Sequence, residues 1–164
     1  MKASTMMATS KSTGSDPFAA ALRVLTRCDR SEAELRSKLG QFGFSASAID
    51  SAVEKCFEYN YLDDRRYALE RARALLRSGR GVGRKVLLEL RRRGIDEATA
   101  SQALEEASSE FETTQLLRDQ LQRRFPDFDY QSADERQRRR VISFFQRRGF
   151  ALGEIFQILK QPAD

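Results

Sequence analysis

Histidine and tryptophan are absent from this 164-residue chain, and cysteine occurs only twice, at Cys28 and Cys56. The lack of histidine excludes Ser-His-Asp and Cys-His catalysis as well as imidazole metal ligands. The two cysteines lack CxxC spacing, so they form neither a zinc cluster nor a disulfide framework, and two free thiols fit a reducing cytosol. No nucleophile motif is present either. We therefore expect a protein that is not an enzyme and that needs no metal or cofactor.

Long apolar runs are also missing. No stretch approaches the roughly 18 apolar residues that a membrane-spanning helix needs. Residues 1–15 are rich in serine and threonine, and they contain no apolar segment typical of a secretory signal. We expect residues 1–15 to form a disordered tail. We also expect a cytoplasmic protein that does not contact membranes.

Arginine is the abundant cation, with 23 arginines against 6 lysines in a chain whose formal net charge is +5. The planar guanidinium can bind phosphate or carboxylate through two hydrogen bonds at once, which suits nucleic acids or acidic protein surfaces. Genomic base composition explains the same ratio equally well. The positions of the arginines are therefore more informative than their number.

A pattern centred on a glycine occurs three times, and the three glycines are Gly43, Gly94 and Gly149. Apolar or small residues recur eight and four positions before each glycine and one, six and ten positions after it. Residues four positions apart share one face of a helix. A glycine between two helices supplies the left-handed conformation that ends the first of them. Each occurrence therefore predicts a helix, a tight turn and a second helix.

A further helical stretch precedes each of these helix pairs. The three stretches span roughly residues 17–28, 64–77 and 109–124. No sustained alternation of period two is present, so we predict an all-α fold without a sheet. The prediction is three tandem three-helix repeats, spanning residues 16–62, 63–108 and 109–161. Small units that contact only their neighbours form extended arrays, so we expect an elongated, bent shape.

Local sequence signals support these helix boundaries. Asp16 precedes a proline at the first helical position, and Ser31 with Glu34 forms a capping box. Pro126 lies in a polar segment that predicts a loop within the third repeat. These features place helix starts and a loop where the repeat pattern requires them.

The segment YLDDRRYA, residues 61–68, contains the adjacent acids Asp63 and Asp64. A catalytic carboxylate pair is one interpretation, but adjacent carboxylates at a helix start point in different directions, and no second acidic motif accompanies them. We interpret the pair as the end of a loop and the cap of the next helix. The expected core contacts of this segment are then Tyr61, Leu62, Tyr67 and Ala68.

The glycine-rich segment at residues 79–85 superficially resembles a phosphate-binding loop. A Walker A motif requires a second glycine at position 84 and a serine or threonine after the lysine, whereas this chain has Arg84 and Val86. We interpret the segment as a turn between two helices that is flanked by basic residues. Such a turn could still hold one backbone phosphate of a nucleic acid.

The basic residues are unevenly distributed. Eleven lie between Arg65 and Arg93, where only Glu70 and Glu89 oppose them, whereas the following stretch, residues 96–112, has six acids and no base. A solvated helical surface is the simpler explanation, but like charges repel within one helix pair, which favours an interaction face. The predicted face comprises Arg65, Arg66, Arg73, Arg77, Arg80, Arg84, Lys85, Arg91, Arg92, Arg93, Arg139, Arg140, Arg147 and Arg148.

Four segments, in this order along the chain, resemble the RecX family. Residues 21–39 resemble its opening segment, and residues 61–68 resemble its hallmark of an aromatic, a leucine, paired aspartates, a basic residue and an aromatic-alanine pair. Residues 79–95 resemble its glycine-rich turn, basic helix and closing Gly-Ile, and residues 138–150 resemble its closing segment. The resemblance covers about residues 18–161.

Resemblance to the RecX family implies a regulator of the RecA recombinase, built from three three-helix repeats in a bent array. It implies binding to the RecA filament on single-stranded DNA, along the helical groove of the filament. There such a regulator restrains ATP hydrolysis, strand exchange and the co-protease activity that triggers the SOS response in DNA repair. We expect a monomer that binds the filament strongly and single-stranded DNA weakly. The basic face fits such a groove without indicating whether it meets protein or DNA.

A general DNA-binding protein is the alternative, because helix-turn-helix spacing occurs three times. A sequence-reading protein usually carries polar, base-contacting residues on one recognition helix. Here the second helices are poor in Arg, Asn and Gln, which disfavours base readout. These second helices span residues 45–53, 96–104 and 151–159.

Overall fold

A computed structural model describes residues 16–161, which fold into nine helices without a strand. The predicted disordered tail, residues 1–15, lies outside the described residues. The helices are α1 (Pro17–Arg27), α2 (Glu32–Gln41), α3 (Ala46–Glu58), α4 (Asp64–Arg77), α5 (Arg84–Arg92), α6 (Glu97–Ser108), α7 (Thr113–Arg124), α8 (Glu135–Gln146) and α9 (Leu152–Leu159). The predicted all-α fold class, with helices in groups of three, is confirmed.

None of the helices within residues 16–161 combines the length and the apolar character that crossing a bilayer requires. The same residues contain no group of three or more His, Cys, Asp or Glu side chains that could hold a metal ion. Most helix bounds lie close to the predicted ones. Helix α7 starts later than predicted, because Ser109 caps the end of α6 and the chain up to Glu112 connects the two helices.

Residues 16–161 divide into two compact units, with the division between Asp63 and Asp64. The first unit contains α1, α2 and α3, which all contact one another. Its core includes Leu35, Leu39 and Cys56, none of which is exposed. The predicted caps are present: the carboxylate of Asp16 accepts from two amides of α1, and Ser31 and Glu34 form a capping box on α2.

The second unit contains the six helices α4 to α9 around one continuous core. Helix α4 packs on α5 and α6, and α9 packs on α7 and α8. The core of this unit runs from Tyr67 on α4 to Leu159 on α9, so both helix triplets contribute to it. Phe145 is fully buried, and the rings of Phe125, Phe144 and Phe150 lie 5.2–6.4 Å from its own.

Each glycine of the threefold pattern occupies the turn between the second and third helix of its triplet. The φ angles of Gly43, Gly94 and Gly149 are 87°, 80° and 97°, in the left-handed region that glycine adopts without strain. The amide of the next residue donates to the carbonyl five residues back, as in Ile95 to Leu90 (3.1 Å) and in the equivalent bonds of the other two turns. This bond closes each turn, and the side chain after the glycine packs on the core, buried at Ile95 and Phe150 and half-buried at Phe44.

The segment YLDDRRYA differs from its prediction at one position. Leu62, Tyr67 and Ala68 are buried as expected, but the prediction for Tyr61 is wrong because half of its side chain is exposed. The chain reverses after α3 at Asn60, whose φ is 58°, and the amides of Tyr61 and Leu62 both donate to the carbonyl of Cys56. Leu62 enters the core of the first unit, whereas the ring of Tyr61 lies near the rings of Phe18 and Tyr59.

Candidate functional site

The predicted basic face lies entirely in the second unit. Its residues come from α4, from the turn before α5, from α5 and from α8 with the turn that follows it. Most of these side chains are exposed. The half-buried members of the predicted face are Arg73, Lys85, Arg93 and Arg148.

Arg73 is held by acidic side chains of its own unit. Its Nε lies 2.9 and 3.0 Å from the two carboxylate oxygens of Glu110, and its Nη1 lies 2.7 Å from Glu70. Hydrogen bonds from Arg73 lower the pKa of Glu110. The carboxylates of Glu110 and Glu70 in turn raise the pKa of Arg73 above its ordinary value. Arg73 therefore ties α4 to the segment after α6.

Arg93 occupies a second internal network. Its Nε lies 3.1 Å from Glu89, its Nη1 lies 3.2 Å from the hydroxyl of Tyr67, and Glu89 also accepts from Arg71 at 3.2 Å. Burial raises the pKa of Glu89, but the hydrogen bonds from Arg71 and Arg93 outweigh burial and leave the pKa below its ordinary value. Arg93 thus joins the end of α5 to α4, which is a structural role.

Arg139 also has an acidic partner, Glu135, one turn earlier on α8. Both side chains are more than three-quarters exposed. Exposed pairs of this kind typically contribute about 0–1 kcal/mol, because water and salt screen them. This pair therefore leaves Arg139 accessible to a partner of higher charge density.

A larger group of basic residues forms no ion pair within residues 16–161. Most of its members are exposed on α4, α5, α8 and the connecting turns. This group comprises Arg77, Arg80, Arg84, Lys85, Arg91, Arg92, Arg140, Arg147 and Arg148. Arg65 and Arg66 are exposed near the start of α4. The unit therefore carries positive charge that its own acids leave unneutralised.

The glycine-rich turn packs against the turn after α8. The amide of Val82 donates to the carbonyl of Arg148 at 2.8 Å, and a Cβ at Gly149 would overlap the carbonyl oxygen of Val82. At the start of α5, the amide of Lys85 donates to Val82 and that of Val86 donates to Gly83. The amides of Lys85 and Val86 thus bond within the turn, and the bond from Val82 joins the turn to the last helix triplet.

Two arginines that sequence reasoning missed, Arg123 and Arg124, lie at the end of α7. Together with Arg80 and Arg148 they line a cleft of about 350 Å³, whose remaining lining residues are Ser78 and Gln120. The adjacent Arg-Arg pair is visible in the sequence. Its approach to Arg80 and Arg148 depends on tertiary packing, so no local pattern could have revealed the cleft.

Arg148 is the innermost cation of this cleft. Its guanidinium carbon lies 3.5 Å from the ring centre of Phe144, and its Nη1 donates to the carbonyl of Phe144 at 3.3 Å. Burial lowers the pKa of Arg148, and the positive charges of Arg124, Arg147 and Arg80 lower it further. Positive potential therefore accumulates at this end of the unit.

Family models match the chain as three successive segments. The models describe the first, second and third three-helix domains of RecX, and they match residues 18–56, 63–104 and 110–159. The chain belongs to the RecX family. The resemblance inferred from the four sequence segments is therefore confirmed.

Full-length relatives carry the same family name. The chain is 45% identical over 146 residues to the regulatory protein RecX of Syntrophotalea carbinolica, which covers 89% of this chain and 95% of the relative. It is 40% identical over 147 residues to the regulatory protein RecX of Trichlorobacter lovleyi, with coverage of 90% and 96%. RecX relatives of this similarity thus match the chain over nearly all of both lengths.

Solved structures of RecX proteins share the fold. The crystal structure of RecX from Lactobacillus salivarius matches with a TM-score of 0.69 at 20% identity, covering 88% of this chain and 92% of the other. A second crystal structure, of a regulatory protein RecX, matches with a TM-score of 0.70 at 22% identity, covering 88% and 70%. At these identities the likeness bears on the fold alone.

Proposed function

We propose that this RecX-family chain binds RecA filaments on single-stranded DNA and restrains their ATP hydrolysis, strand exchange and co-protease activity. The observation that carries the proposal is family membership: relatives named regulatory protein RecX match at 45% and 40% identity over nearly their full lengths. In this proposal the chain is a cytoplasmic monomer that acts by binding and performs no catalysis. The predicted basic face is the proposed filament contact.

Surface charge supports a binding role for the second unit. A nucleoprotein filament contains DNA phosphates, and guanidinium groups bind phosphates as well as the carboxylates of acidic protein surfaces. Exposed arginines without acidic partners within the described residues, such as Arg91 and Arg92, keep their full charge for such a partner. Arg73 and Arg93 are already occupied by Glu110 and Glu89, so they contribute less.

The decisive experiment measures RecA ATP hydrolysis on single-stranded DNA while the chain is titrated into the reaction. We expect the rate of hydrolysis to fall with increasing chain concentration and to reach a plateau when the filament is saturated. An unchanged rate, together with no binding to filaments in sedimentation, would contradict the proposed function.

Replacing Arg91 and Arg92 with glutamine should weaken filament binding about tenfold, because each substitution removes a charge-assisted contact with the filament. The free energy of unfolding should change by about 0.5 kcal/mol or less per site, because both side chains are exposed. Arg93 is left in place because it bonds to Glu89 and Tyr67. Fluorescence anisotropy with labelled filaments measures the affinity, and thermal unfolding measures the stability.

The control for this variant is Arg27→Gln/Lys55→Gln, which removes the same charge from exposed positions in the first unit, outside the predicted face. Filament affinity of the control should stay within about twofold of the unaltered chain, since long-range attraction is screened at 0.15 M salt. Equal losses in both variants would mean that net charge, and not this face, determines binding.

Salt dependence distinguishes the regulator from a general DNA-binding protein. Contact with bare single-stranded DNA would rest on phosphates, so its log affinity should fall with log salt by about 0.7 per neutralised phosphate. Filament binding adds protein contacts that salt screens less, so the preference for filament should widen as salt rises towards 0.15 M. If bare single-stranded DNA competed equally with filament at 0.15 M salt, the DNA-binding alternative would be favoured.

A further inference from the structure

The arginine cleft, lined by Arg80, Arg123, Arg124 and Arg148 with Ser78 and Gln120, combines three helix ends in one place. Ser78 and Arg80 follow α4, Arg123 and Arg124 form the last turn of α7, and Arg148 follows α8. The cleft lies within the second unit and has a volume of about 350 Å³. This volume exceeds what a single water molecule needs, so a charged group can enter it.

The buried side-chain amide of Gln120 joins α7 to the turn after α4 at the arginine cleft. Gln120 is only 6% exposed, and its Nε2 donates to the carbonyl of Ser78 at 3.0 Å. Gly79 next to it has a φ of 61°, and a Cβ there would lie 2.5 Å from Cγ of Gln120. The absence of a side chain at this glycine therefore lets the turn close on α7.

A second hydrogen bond joins the turn after α4 to the turn after α8. The amide of Val82, two residues beyond Arg80, donates to the carbonyl of Arg148 at 2.8 Å. The Arg148 guanidinium is further held against the ring of Phe144. A site whose walls are held before binding loses less conformational entropy when its ligand arrives. The segment between α4 and α5 is thus bonded both to α7 and to the turn after α8.

Charge in the arginine cleft is unbalanced. Four of its six lining residues are arginines and none is acidic. In the part of the chain that the structure describes, none of these four arginines forms an ion pair, whereas Arg71, Arg73 and Arg93 of the same unit all do. The Nε of Arg148 is buried without a hydrogen-bond partner. Like charges brought together without a counter-charge are unfavourable, so the cleft is suited to an anion.

Helix dipoles explain part of this arrangement. Three helices end at the arginine cleft, and a helix C-terminus carries partial negative charge that favours cations by about 0.3–1 kcal/mol each. The dipole explains why a cation is tolerated at each helix end. It does not explain why four arginines line one cleft, because each helix end would be equally well served by a side chain directed into water.

We propose that the arginine cleft binds backbone phosphate of a nucleic-acid strand. Guanidinium groups bind phosphate oxygens through paired hydrogen bonds, and a concave site contacts a phosphate from several sides. No base-reading arrangement accompanies the four arginines, so the contact is independent of sequence. The inference rests on the proposed function, which brings the chain to a filament, and it assigns this cleft to the DNA strand and not to RecA.

The test uses the full chain carrying Arg123→Gln/Arg124→Gln. Both arginines are exposed on the last turn of α7, so the fold should be retained, which circular dichroism checks. We expect the affinity for a labelled oligothymidylate to fall about tenfold at low salt. The slope of log affinity against log salt should fall in magnitude by about 0.7 for each phosphate that the variant no longer neutralises. The control Arg27→Gln/Lys55→Gln, with both positions in the first unit, should lower both quantities less than the cleft variant does.

Competition by inorganic pyrophosphate identifies the chemistry. Pyrophosphate at millimolar concentration should displace the oligothymidylate from the unaltered chain. It should have less effect on the residual oligothymidylate binding of the Arg123→Gln/Arg124→Gln variant. Binding of pyrophosphate without binding of oligothymidylate would overturn the strand assignment in favour of a free phosphorylated ligand. Unchanged oligothymidylate affinity in the cleft variant would overturn the inference outright.

Filament binding by the same variant separates this inference from the proposed function. Loss of filament affinity with normal oligothymidylate affinity would mean that the arginine cleft meets RecA, which overturns the inference and supports the proposed function. Loss of oligothymidylate affinity in a chain that never binds filaments would support the cleft assignment while contradicting the proposed function.

Discussion

Replacing Gly149 with alanine is expected to destabilise the second unit by about 3 kcal/mol or more, one of the two largest effects we anticipate. The φ of Gly149 is 97°, and the added Cβ would overlap the carbonyl oxygen of Val82. Neither atom can yield easily, because the oxygen belongs to the backbone and Val82 is itself bonded to Arg148. Hydrogen exchange of the α8 and α9 amides measures the loss directly.

Gly43 provides the matched control for this substitution. It occupies the equivalent turn of the first unit with a φ of 87°, but a Cβ there would have no neighbour within 4 Å. Gly43→Ala should therefore lower the free energy of unfolding only by the cost of a left-handed alanine, about 1–2 kcal/mol. If both substitutions had equal effects, the contact between Gly149 and Val82 would have no part in stability.

Replacing Phe145 with alanine should reduce the free energy of unfolding of the second unit by about 3–5 kcal/mol. Phe145 has no exposed surface, and it contacts the rings of Phe144, Phe150 and Phe125. The cavity left by the Phe145 ring cannot be filled by water or by flexible neighbours, because the surrounding phenylalanine rings pack edge-on or tilted and are held in place. Urea unfolding followed by circular dichroism is the appropriate measurement.

Phe42→Ala is the control for the loss of an aromatic ring. Phe42 directly follows α2, and about half of its side chain is exposed. Its removal should change the unfolding free energy by about 0.5 kcal/mol, as is usual for surface positions. A loss at Phe42 as large as that at Phe145 would mean that ring burial does not determine these stabilities.

The threefold helix pattern could be predicted from the sequence because its signals are local. Glycine in a left-handed turn, apolar residues on one helix face and capping side chains all act within about ten residues of one another. Gly94, Leu90 and Ile95 illustrate this, since one short segment contains the glycine, the buried residue and the bond that closes the turn. Leu104, ten positions after Gly94, likewise packs against the core, although it is only half-buried.

The charge pattern could not be resolved in the same way. Counting along the chain separates the basic stretch before Arg93 from the acidic stretch after it, yet folding brings Glu110 back to Arg73. The sequence therefore overestimates the free charge of α4. It also underestimates the charge beside Arg148, because Arg124 and Arg80 approach it only through the packing of separate helices.

The bond from Val82 to Arg148 has a consequence for how the chain could be divided. Sequence repeats number three, but the second and third share one core and this backbone bond across their boundary. Cutting the chain near residue 109 would expose Leu117, Phe145 and the side chains that cover them, and would leave both fragments prone to aggregate. The last two triplets should consequently unfold as a single cooperative unit, and a chain that lost either of them should fail to fold its second unit while the first unit keeps its own core.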